Sequence, residues 1–304
     1  MTVAFLGPEG TFTAAAADRA APGHERLPLT TIPDVVDLVR DGTADVGVVP
    51  IENSIEGAVN LTLDTLAFGE PGVYIRGEVE VPISMNLLVR PGTSLDAVKE
   101  VRSHPMAIPQ CRVWLSANLS GVQLSTTAST AAAAEEVVDG DGTVAALGTT
   151  AAAERFGLEV LAADIHDRDG NTTRFVTLGR RMPGPTGADK TSLVVFFGAD
   201  RPGQLMRVLD EFALRGINLT KIESRPTKTQ LGEYCIFIDA SGHVTEARMA
   251  EALRSVHRHV AEVRILGTYP RADGLTAHAA GADSEDAYAD ASLWFRRLLD
   301  RIDT

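Results

Sequence analysis

Residues 1–13 read MTVAFLGPEGTFT, and this stretch decides the class of fold. The apolar run Val3–Leu6 is too short for the core of a signal peptide, and no positive charge precedes it. It is typical of a buried strand that ends at the turn Gly7–Gly10 and leads into a helix after Thr11. Small anionic ligands bind at such junctions in open α/β folds, so we expect a binding loop here.

The composition of the 304 residues is that of an ordinary globular protein, with 44% hydrophobic and 23% charged residues. The net charge of −13 argues against nucleic-acid binding, although a local positive field can still hold an anionic substrate. No apolar stretch approaches the length of a membrane span, so we expect no membrane association. The distant cysteines Cys111 and Cys235 indicate neither a disulfide framework nor a zinc site, and they favour a cytoplasmic location.

Residues 1–181 alternate apolar strands with Ala-rich helices, which predicts parallel sheets covered by helices in an α/β domain. Two strands follow each other over residues 73–90 with no helix between them, and residues 163–180 would lead the chain back. We therefore expect a bilobal domain like that of periplasmic binding proteins. Its second lobe would span about residues 82–170, and its cleft would close around a ligand.

The remainder of the chain predicts a second, smaller domain. Residues 182–190 are rich in Pro and Gly and predict a linker. The apolar periodicity of residues 191–269 predicts the order βαββαβ, a ferredoxin-like plan. Residues 270–304 begin with small and polar side chains, which predicts a poorly ordered tail, and end in the pattern of a terminal helix.

Three polar segments stand where α/β folds bind ligands. GPEGTFT, residues 7–13, would offer the free amides of a helix N-terminus to an anion. ENS, residues 52–54, follows the apolar run VVPI, and NTTRF, residues 171–175, leads into another strand. Each segment alone is also compatible with an ordinary turn or helix cap.

In combination and in order, these segments resemble the motifs of the prephenate dehydratase family. SHPMAIPQC, residues 103–111, and TASTA, residues 127–131, resemble two further segments of that family. GINLTKIESRP, residues 216–226, resembles its regulatory ACT domain. The resemblance covers about residues 1–269 and is specific because several motifs occur together.

Some positions of these segments depart from the family's usual pattern. Met106 stands where the family usually has Gln, Pro109 is unusual there, and Gln204 replaces the more common Ala of a Gly-Ala-Leu motif. Gln110 matches a polar residue of the family's site, and for His104 a structural and a functional role remain open. The chain starts at the dehydratase motif, so the resemblance implies a monofunctional enzyme.

The resemblance implies conversion of prephenate to phenylpyruvate, water and carbon dioxide in phenylalanine biosynthesis. The departing ring hydroxyl needs a proton, so the site needs an acid. The reaction has no redox step, and neither a dinucleotide nor a metal motif is found, so we expect no cofactor and no metal. Arogenate dehydration is an alternative activity, and a non-catalytic ligand sensor with an ACT domain is an alternative function.

The family's motifs imply roles for individual residues of this chain. The expected catalytic residues are Thr173 as the proton donor, Glu52, Asn53, Gln110 and Ser103. The expected substrate-binding residues are Gly10, Thr11, Ser54, Ser129, Thr130, Arg174 and Phe175. For Arg174 two roles remain open, which are clamping a substrate carboxylate and bracing the loop.

The resemblance further implies that phenylalanine, the end product, binds the ACT domain as an allosteric inhibitor. The expected effector site consists of Gly203, Gln204, Leu205, Asn218, Leu219, Glu223, Ser224, Arg225 and Pro226. ACT units of this family pair side by side, and the open edge of a βαββαβ sheet favours such pairing. We therefore expect a homodimer or a homotetramer.

Overall fold

The computed structural model describes residues 1–198, 201–230, 232–276 and 280–302. The described residues form, in chain order, β1 (Thr2–Leu6), α1 (Phe12–Ala20), β2 (Glu25–Leu29), α2 (Ile32–Asp41), β3 (Val46–Asn53), β4 (Gly57–Ala58), α3 (Asn60–Phe68), β5 (Tyr74–Pro82), β6 (Asn86–Val89), β7 (Glu100–Ser103), α4 (Arg112–Asn118), β8 (Gln123–Thr126), α5 (Thr130–Val138), β9 (Val144–Gly148), α6 (Thr150–Phe156), β10 (Glu159–Ala162), β11 (Thr172–Gly179), β12 (Asp189–Phe196), α7 (Gln204–Ala213), β13 (Leu219–Pro226), β14 (Tyr234–Ser241), α8 (Ala247–His259), β15 (Glu262–Pro270) and α9 (Glu285–Leu299). They fall into two compact units, of which the first comprises Met1–Thr65 and Val79–Leu178. The second comprises Leu66–Glu78 and the chain from Gly179 onward.

The first lobe of the first unit is built on β11, β3, β1 and β2, which neighbour one another in that order. Strand β1 is parallel to both β2 and β3, whereas β11 is antiparallel to β3. Val3 and Phe5 of β1 are fully buried, and Thr11 caps α1 by accepting a hydrogen bond from the Ala14 amide at 3.3 Å. The opening stretch thus forms the strand, turn and helix that its sequence predicts.

The second lobe of the same unit contains a five-stranded sheet in the order β10-β6-β9-β7-β8. Strand β7 is parallel to β8 and β9, and β6 is antiparallel to β9 and β10. Its core includes the fully buried Leu87, Val101 and Leu147. Phe12, at the start of α1, packs against the cores of both lobes. The predicted bilobal α/β fold is therefore confirmed.

The second unit follows the order β12, α7, β13, β14, α8, β15, which confirms the predicted βαββαβ plan. Its strands are antiparallel in the order β13-β14-β12-β15, and Leu193, Phe212 and Met249 are fully buried in its core. Residues Leu66–Glu78 also belong to this unit. Gly267 of β15 pairs with Ile75, and a Cβ at Gly267 would lie 2.3 Å from the Ile75 carbonyl oxygen, so this close approach requires glycine.

Strands β2, β8 and β10 are not predicted from the apolar pattern of the sequence. Each of them lies at the edge of its sheet within the described part of the first unit, and none of them contains a fully buried residue. An edge strand buries fewer apolar side chains, so its sequence lacks the continuous apolar run that marks a buried strand. The strands between these edges, such as β1, β3 and β6, show such runs because both of their faces are covered.

The N-terminal end of the C-terminal helix α9 contacts helix α8 of the second unit. Ser284 caps α9, and the Glu285 carboxylate accepts hydrogen bonds from the Ala247 amide at 2.9 Å and the Arg248 amide at 3.4 Å. The same carboxylate therefore satisfies the first amides of α8. None of the helices within the described residues is both long enough and apolar enough to cross a membrane.

Candidate active site

A cavity of about 400 Å³ lies between the two lobes of the first unit. Both lobes contribute to its lining, and seven of the residues predicted for the site lie there. These are Thr11, Asn53, Gln110, Ser129, Thr130, Thr173 and Phe175. The cavity therefore brings together the five sequence segments that stand far apart in the chain.

The side-chain amide of Asn53 has a fixed orientation. Its Oδ1 accepts hydrogen bonds from the backbone amides of Ile55 at 2.9 Å and Glu56 at 3.0 Å. A backbone N–H can only donate, so the oxygen of the Asn53 amide must face these two groups. The Nδ2 consequently points the other way, where it donates to Asn171 Oδ1 at 2.8 Å and to Thr173 Oγ1 at 2.9 Å.

Local strand geometry places Thr173 opposite Asn53. The two residues pair directly in the antiparallel ladder between β11 and β3. The register then shifts, so that Phe175 pairs with Pro50 and Ile51 is the extra residue of β3. This bulge lets both Pro50 and Asn53 line the cavity beside Thr173.

Thr173 is oriented as a hydrogen-bond donor toward the cavity. Its Oγ1 already accepts a hydrogen bond from Asn53 Nδ2, so its own proton is available for another acceptor. The side chain is buried, with 9% of the residue exposed. The hydrogen bond from Asn53 stabilises the negative charge that develops on the Thr173 oxygen when the hydroxyl gives up its proton, so the proton is released more easily.

Two helices of nine residues each, one from either lobe, begin at the cavity. Thr11 caps α1, and Ser129 caps α5 by accepting from the Ala132 amide at 2.9 Å. The first turns of such helices carry free N–H groups and a positive end of the helix dipole. The cavity therefore favours a ligand with two anionic groups, despite the net charge of −13.

Glu52 and Arg174, both predicted for the site, do not line the cavity. They pair across the ladder, and Arg174 Nη2 lies 2.7 Å from Glu52 Oε2. Successive residues of a strand face opposite sides, so Arg174 lies on the face away from Thr173 and Phe175. Of the two roles left open for Arg174, these contacts favour bracing, since its charge is already paired with a protein carboxylate.

Ser54, Ser103 and Gly10 are also placed outside the cavity lining. Ser103 is fully buried, and its hydroxyl donates to the Leu147 carbonyl at 2.8 Å. The Ser54 hydroxyl accepts from the Thr172 amide at 3.0 Å, and the Gly10 carbonyl accepts from Thr149 Oγ1 at 2.8 Å. These contacts hold the segments in place, and a direct role of Ser54, Ser103 or Gly10 toward a ligand stays a prediction.

Asn171, to which the sequence motifs assign no role, contacts two residues that line the cavity. It is 3% exposed, and its Nδ2 donates to Gln110 Oε1 at 2.9 Å while its Oδ1 accepts from Asn53. Residues two apart on a strand lie on the same face, so the position of Asn171 two residues before Thr173 could have indicated that it lies near the cavity.

His104 and Met106 line the cavity as well, beside Gln110 from the same segment. His104 Nδ1 accepts a hydrogen bond from the Met106 amide at 3.2 Å, which places the ring proton on Nε2. Burial lowers the pKa of His104, so the ring is neutral near pH 7. The imidazole thus offers the cavity a neutral donor.

The second unit contains a separate cavity of about 490 Å³ at the start of α7. Four of the predicted effector residues line it, namely Gly203, Gln204, Leu205 and Ser224. The other five, Asn218, Leu219, Glu223, Arg225 and Pro226, are not among its lining residues. The Glu223 carboxylate lies instead 3.2 Å from Lys221 Nζ and 3.6 Å from Arg225 Nη1 on the same strand.

Known proteins resemble this chain over nearly its whole length. The family model for prephenate dehydratase matches residues 3–183, and that for the ACT domain matches residues 191–258. A prephenate dehydratase of Amycolatopsis methanolica is 43% identical over 296 residues, which cover 96% of each chain.

Two solved structures share the fold of at least nine tenths of this chain. A prephenate dehydratase from Arthrobacter aurescens in complex with L-Phe has a TM-score of 0.91 and 43% identity, and the match covers 99% of this chain and 100% of that one. A protein described as a quorum-quenching acylase has a TM-score of 0.80 and 30% identity, with 90% and 98% covered. The chain therefore belongs to the prephenate dehydratase family and combines that family's catalytic domain with an ACT domain.

Proposed function

We propose that the cavity between the lobes converts prephenate to phenylpyruvate, with Thr173 as the proton donor. The hydrogen bond from Asn53 Nδ2 to Thr173 Oγ1 at 2.9 Å is the observation that carries this proposal. In the reaction, the bond from the ring to its carboxylate breaks, and the electron pair enters the new aromatic ring. The ring hydroxyl takes up one proton and leaves as water, so prephenate and a proton yield phenylpyruvate, carbon dioxide and water.

Asn53 makes the weakly acidic threonine usable as a proton donor. A free threonine hydroxyl would hold its proton far too tightly to release it to a poor leaving group. The Asn53 amide stabilises the oxygen as the proton moves, and single hydrogen-bond donors of this kind contribute roughly 10²–10³-fold to catalysis. Proton transfer in concert with loss of the hydroxyl avoids release of a hydroxide ion, and the Thr173 oxygen regains its proton from water after the reaction.

The helix N-termini and the apolar wall of the cavity fit the shape of prephenate. The starts of α1 and α5 suit two carboxylates, while Phe12, Met85 and Phe175 form an apolar surface for the ring. Arogenate carries an ammonium group in place of the keto oxygen, and its positive charge would meet a positive helix end. We therefore propose prephenate as the preferred substrate.

Dehydration is favoured over the activity of the acylase relative. That relative is 30% identical, whereas the two dehydratases described above are each 43% identical. A decarboxylating dehydration needs a proton donor beside an anion site, and both features occur together in this cavity.

The buried cysteines, Cys111 and Cys235, form no disulfide with each other, which supports a cytoplasmic location.

Phenylalanine is the proposed effector of the second unit. The Arthrobacter aurescens relative was solved in complex with L-Phe. In this chain, the first amides of α7 can receive a carboxylate, and Phe197, Leu205 and Met206 provide apolar surface beside them. Inhibition requires that phenylalanine favour one state of the catalytic cleft over another, so substrate and effector weaken each other's binding by the same factor.

A second copy of the chain is the proposed partner of this unit. Strand β13 lies at the edge of its sheet within the described residues, and Ile222 on that strand is 50% exposed. Pairing of two such edges would satisfy the open backbone groups and bury apolar surface. We propose a homodimer, or a homotetramer if the first units add a further interface.

Replacing Thr173 by valine should lower kcat for prephenate at least about a hundredfold, because the shape is kept but the proton donor is lost. Thr173→Ser, which keeps the hydroxyl, should retain more activity than Thr173→Val. Thr172→Val is the matched control, since Thr172 faces the other side of β11. Phenylpyruvate is measured by its absorbance in alkali, and a Thr173→Val enzyme with more than a tenth of wild-type kcat would rule out the proton-donor role.

Replacing Ser103 by alanine should reduce the free energy of unfolding by about 1–2 kcal/mol, because the buried Leu147 carbonyl loses its donor. The values of kcat and KM should stay within about twofold, since Ser103 lies outside the cavity lining. Urea unfolding and steady-state kinetics measure the two effects, with exposed Ser94→Ala as the control. A tenfold loss of kcat with an unchanged free energy of unfolding would show that Ser103 takes part in catalysis.

Replacing Leu205 by aspartate should weaken phenylalanine binding at least tenfold, because a second carboxylate at the start of α7 repels that of the effector. Activity without phenylalanine should persist, as acidic residues are favourable in a first helical turn. Leu214→Asp, beyond the far end of α7, is the control. Calorimetric titration and inhibition assays test this, and inhibition of Leu205→Asp at wild-type concentrations would place the effector elsewhere.

A further inference from the structure

We propose that Asn171 is a positioning residue that turns the donor end of the Gln110 amide toward the substrate. This inference rests on the proposed function, since it concerns how the cavity holds prephenate. Three side-chain amides, those of Asn53, Asn171 and Gln110, are joined in series by hydrogen bonds. An amide has a donor end and an acceptor end, so fixing the first member of such a series fixes the others.

The series starts from the protein backbone. Two N–H groups, of Ile55 and Glu56, hold Asn53 Oδ1, and neither can act as an acceptor. Reversal of the Asn53 amide would place its NH₂ group against the two backbone N–H groups. All three groups are donors, so none of them would find an acceptor there. The direction of the first link is therefore set by groups that no side-chain rotation can change.

The second link passes this direction to Asn171. Because Asn53 donates, Asn171 must accept with Oδ1, at 2.8 Å, and its Nδ2 is then aimed at Gln110. The residue is 3% exposed, and its backbone carbonyl accepts from the Ile83 amide at 2.8 Å. Burial and this backbone contact keep Asn171 in place, so its amide acts as a rigid connector between the lobes.

The third link determines what Gln110 offers to the cavity. Gln110 Oε1 accepts from Asn171 Nδ2 at 2.9 Å, which leaves Nε2 as the end available to a ligand. An NH₂ group donates to the carboxylate or keto oxygens of an anionic substrate, whereas an amide oxygen would repel them. Gln110 was predicted from its motif, but the polarity that it presents depends on Asn171.

The test is the substitution Asn171→Asp, which keeps the shape of the side chain but removes its donor. The carboxylate that it introduces still accepts from Asn53, so the hydrogen bond to Thr173 is kept, but Gln110 must reverse and give its NH₂ group to this carboxylate. The Gln110 oxygen then faces the substrate. We expect KM for prephenate to rise at least about tenfold while kcat stays within about threefold of wild type.

A double-mutant cycle separates this effect from the added negative charge. In a Gln110→Ala background, Asn171→Asp should change KM less than about twofold, because the amide through which it acts is gone. An equal rise of KM in both backgrounds would overturn the proposal, as would a fall of kcat with KM unchanged. Asn118→Asp is the control for the same chemical change at an Asn whose Nδ2 donates to a carbonyl outside the site.

Gln110→Glu tests the same claim if the Asn171 variant does not fold. It keeps an acceptor for Asn171 and replaces Nε2 by an oxygen, so KM should again rise at least about tenfold, and an unchanged KM would overturn the proposal. Wild-type enzyme is assayed alongside. Absence of phenylpyruvate there would refute the proposed function, whereas an active wild type without the predicted KM changes would refute only the role of Asn171.

Discussion

The two hydrogen bonds from the backbone amides of Ile55 and Glu56 to Asn53 Oδ1 are the interaction on which the proposed chemistry of the cavity depends. It occurs in the tight turn between β3 and β4, where Gly57 has a φ of +82° and pairs with Asn53. The turn is a purely local structure, set by a few consecutive residues. Its effect is not local, because it points Asn53 Nδ2 at Thr173 and at Asn171, which are distant in the chain.

An acidic protein can bind an acidic substrate because its fold concentrates donors at one point. The net charge of −13 is spread over the chain, whereas the cavity collects two helix N-termini, the Thr173 hydroxyl and the neutral His104 ring. Arg174, the cation expected nearby, is paired with Glu52 on the other face of β11. The recognition proposed here therefore relies on oriented dipoles of the backbone and of side-chain amides, whose electrostatic effect is greatest where water is excluded.

The sequence predicts the main strands of both lobes from their continuous apolar runs, and it predicts the βαββαβ unit from its apolar periodicity, which includes the alternation of β13. It does not predict β2, β8 or β10, since edge strands lack that pattern, nor the packing of Leu66–Glu78 with the second unit. That packing includes the close approach of Gly267 to Ile75, the ion pair of Lys190 with Glu78 and the ring contact of Phe68 with Phe196, and such contacts leave no periodic signal.

Predicting the site from motifs alone has a different limit. Motifs predict Thr173, Asn53 and Gln110, which line the cavity, and they predict Ser103, Glu52 and Arg174 equally, although these three are not among the lining residues. Strand alternation separates Thr173 from Arg174, and it also points to Asn171. The bulge at Ile51 could not be anticipated, because it is a property of pairing between two distant strands.

The most direct measurement of the central claim is a neutron diffraction structure of the deuterium-exchanged protein. We expect deuterium atoms on Asn53 Nδ2 along the lines to Thr173 Oγ1 and Asn171 Oδ1, and an ND₂ group of Gln110 facing the cavity. The Thr173 deuterium should point into the cavity. A Thr173 hydroxyl that donates its deuterium to an Asn53 oxygen would contradict this expectation. Thr173 could then not donate its proton to the substrate, and Asn53 could not donate a hydrogen bond to Thr173.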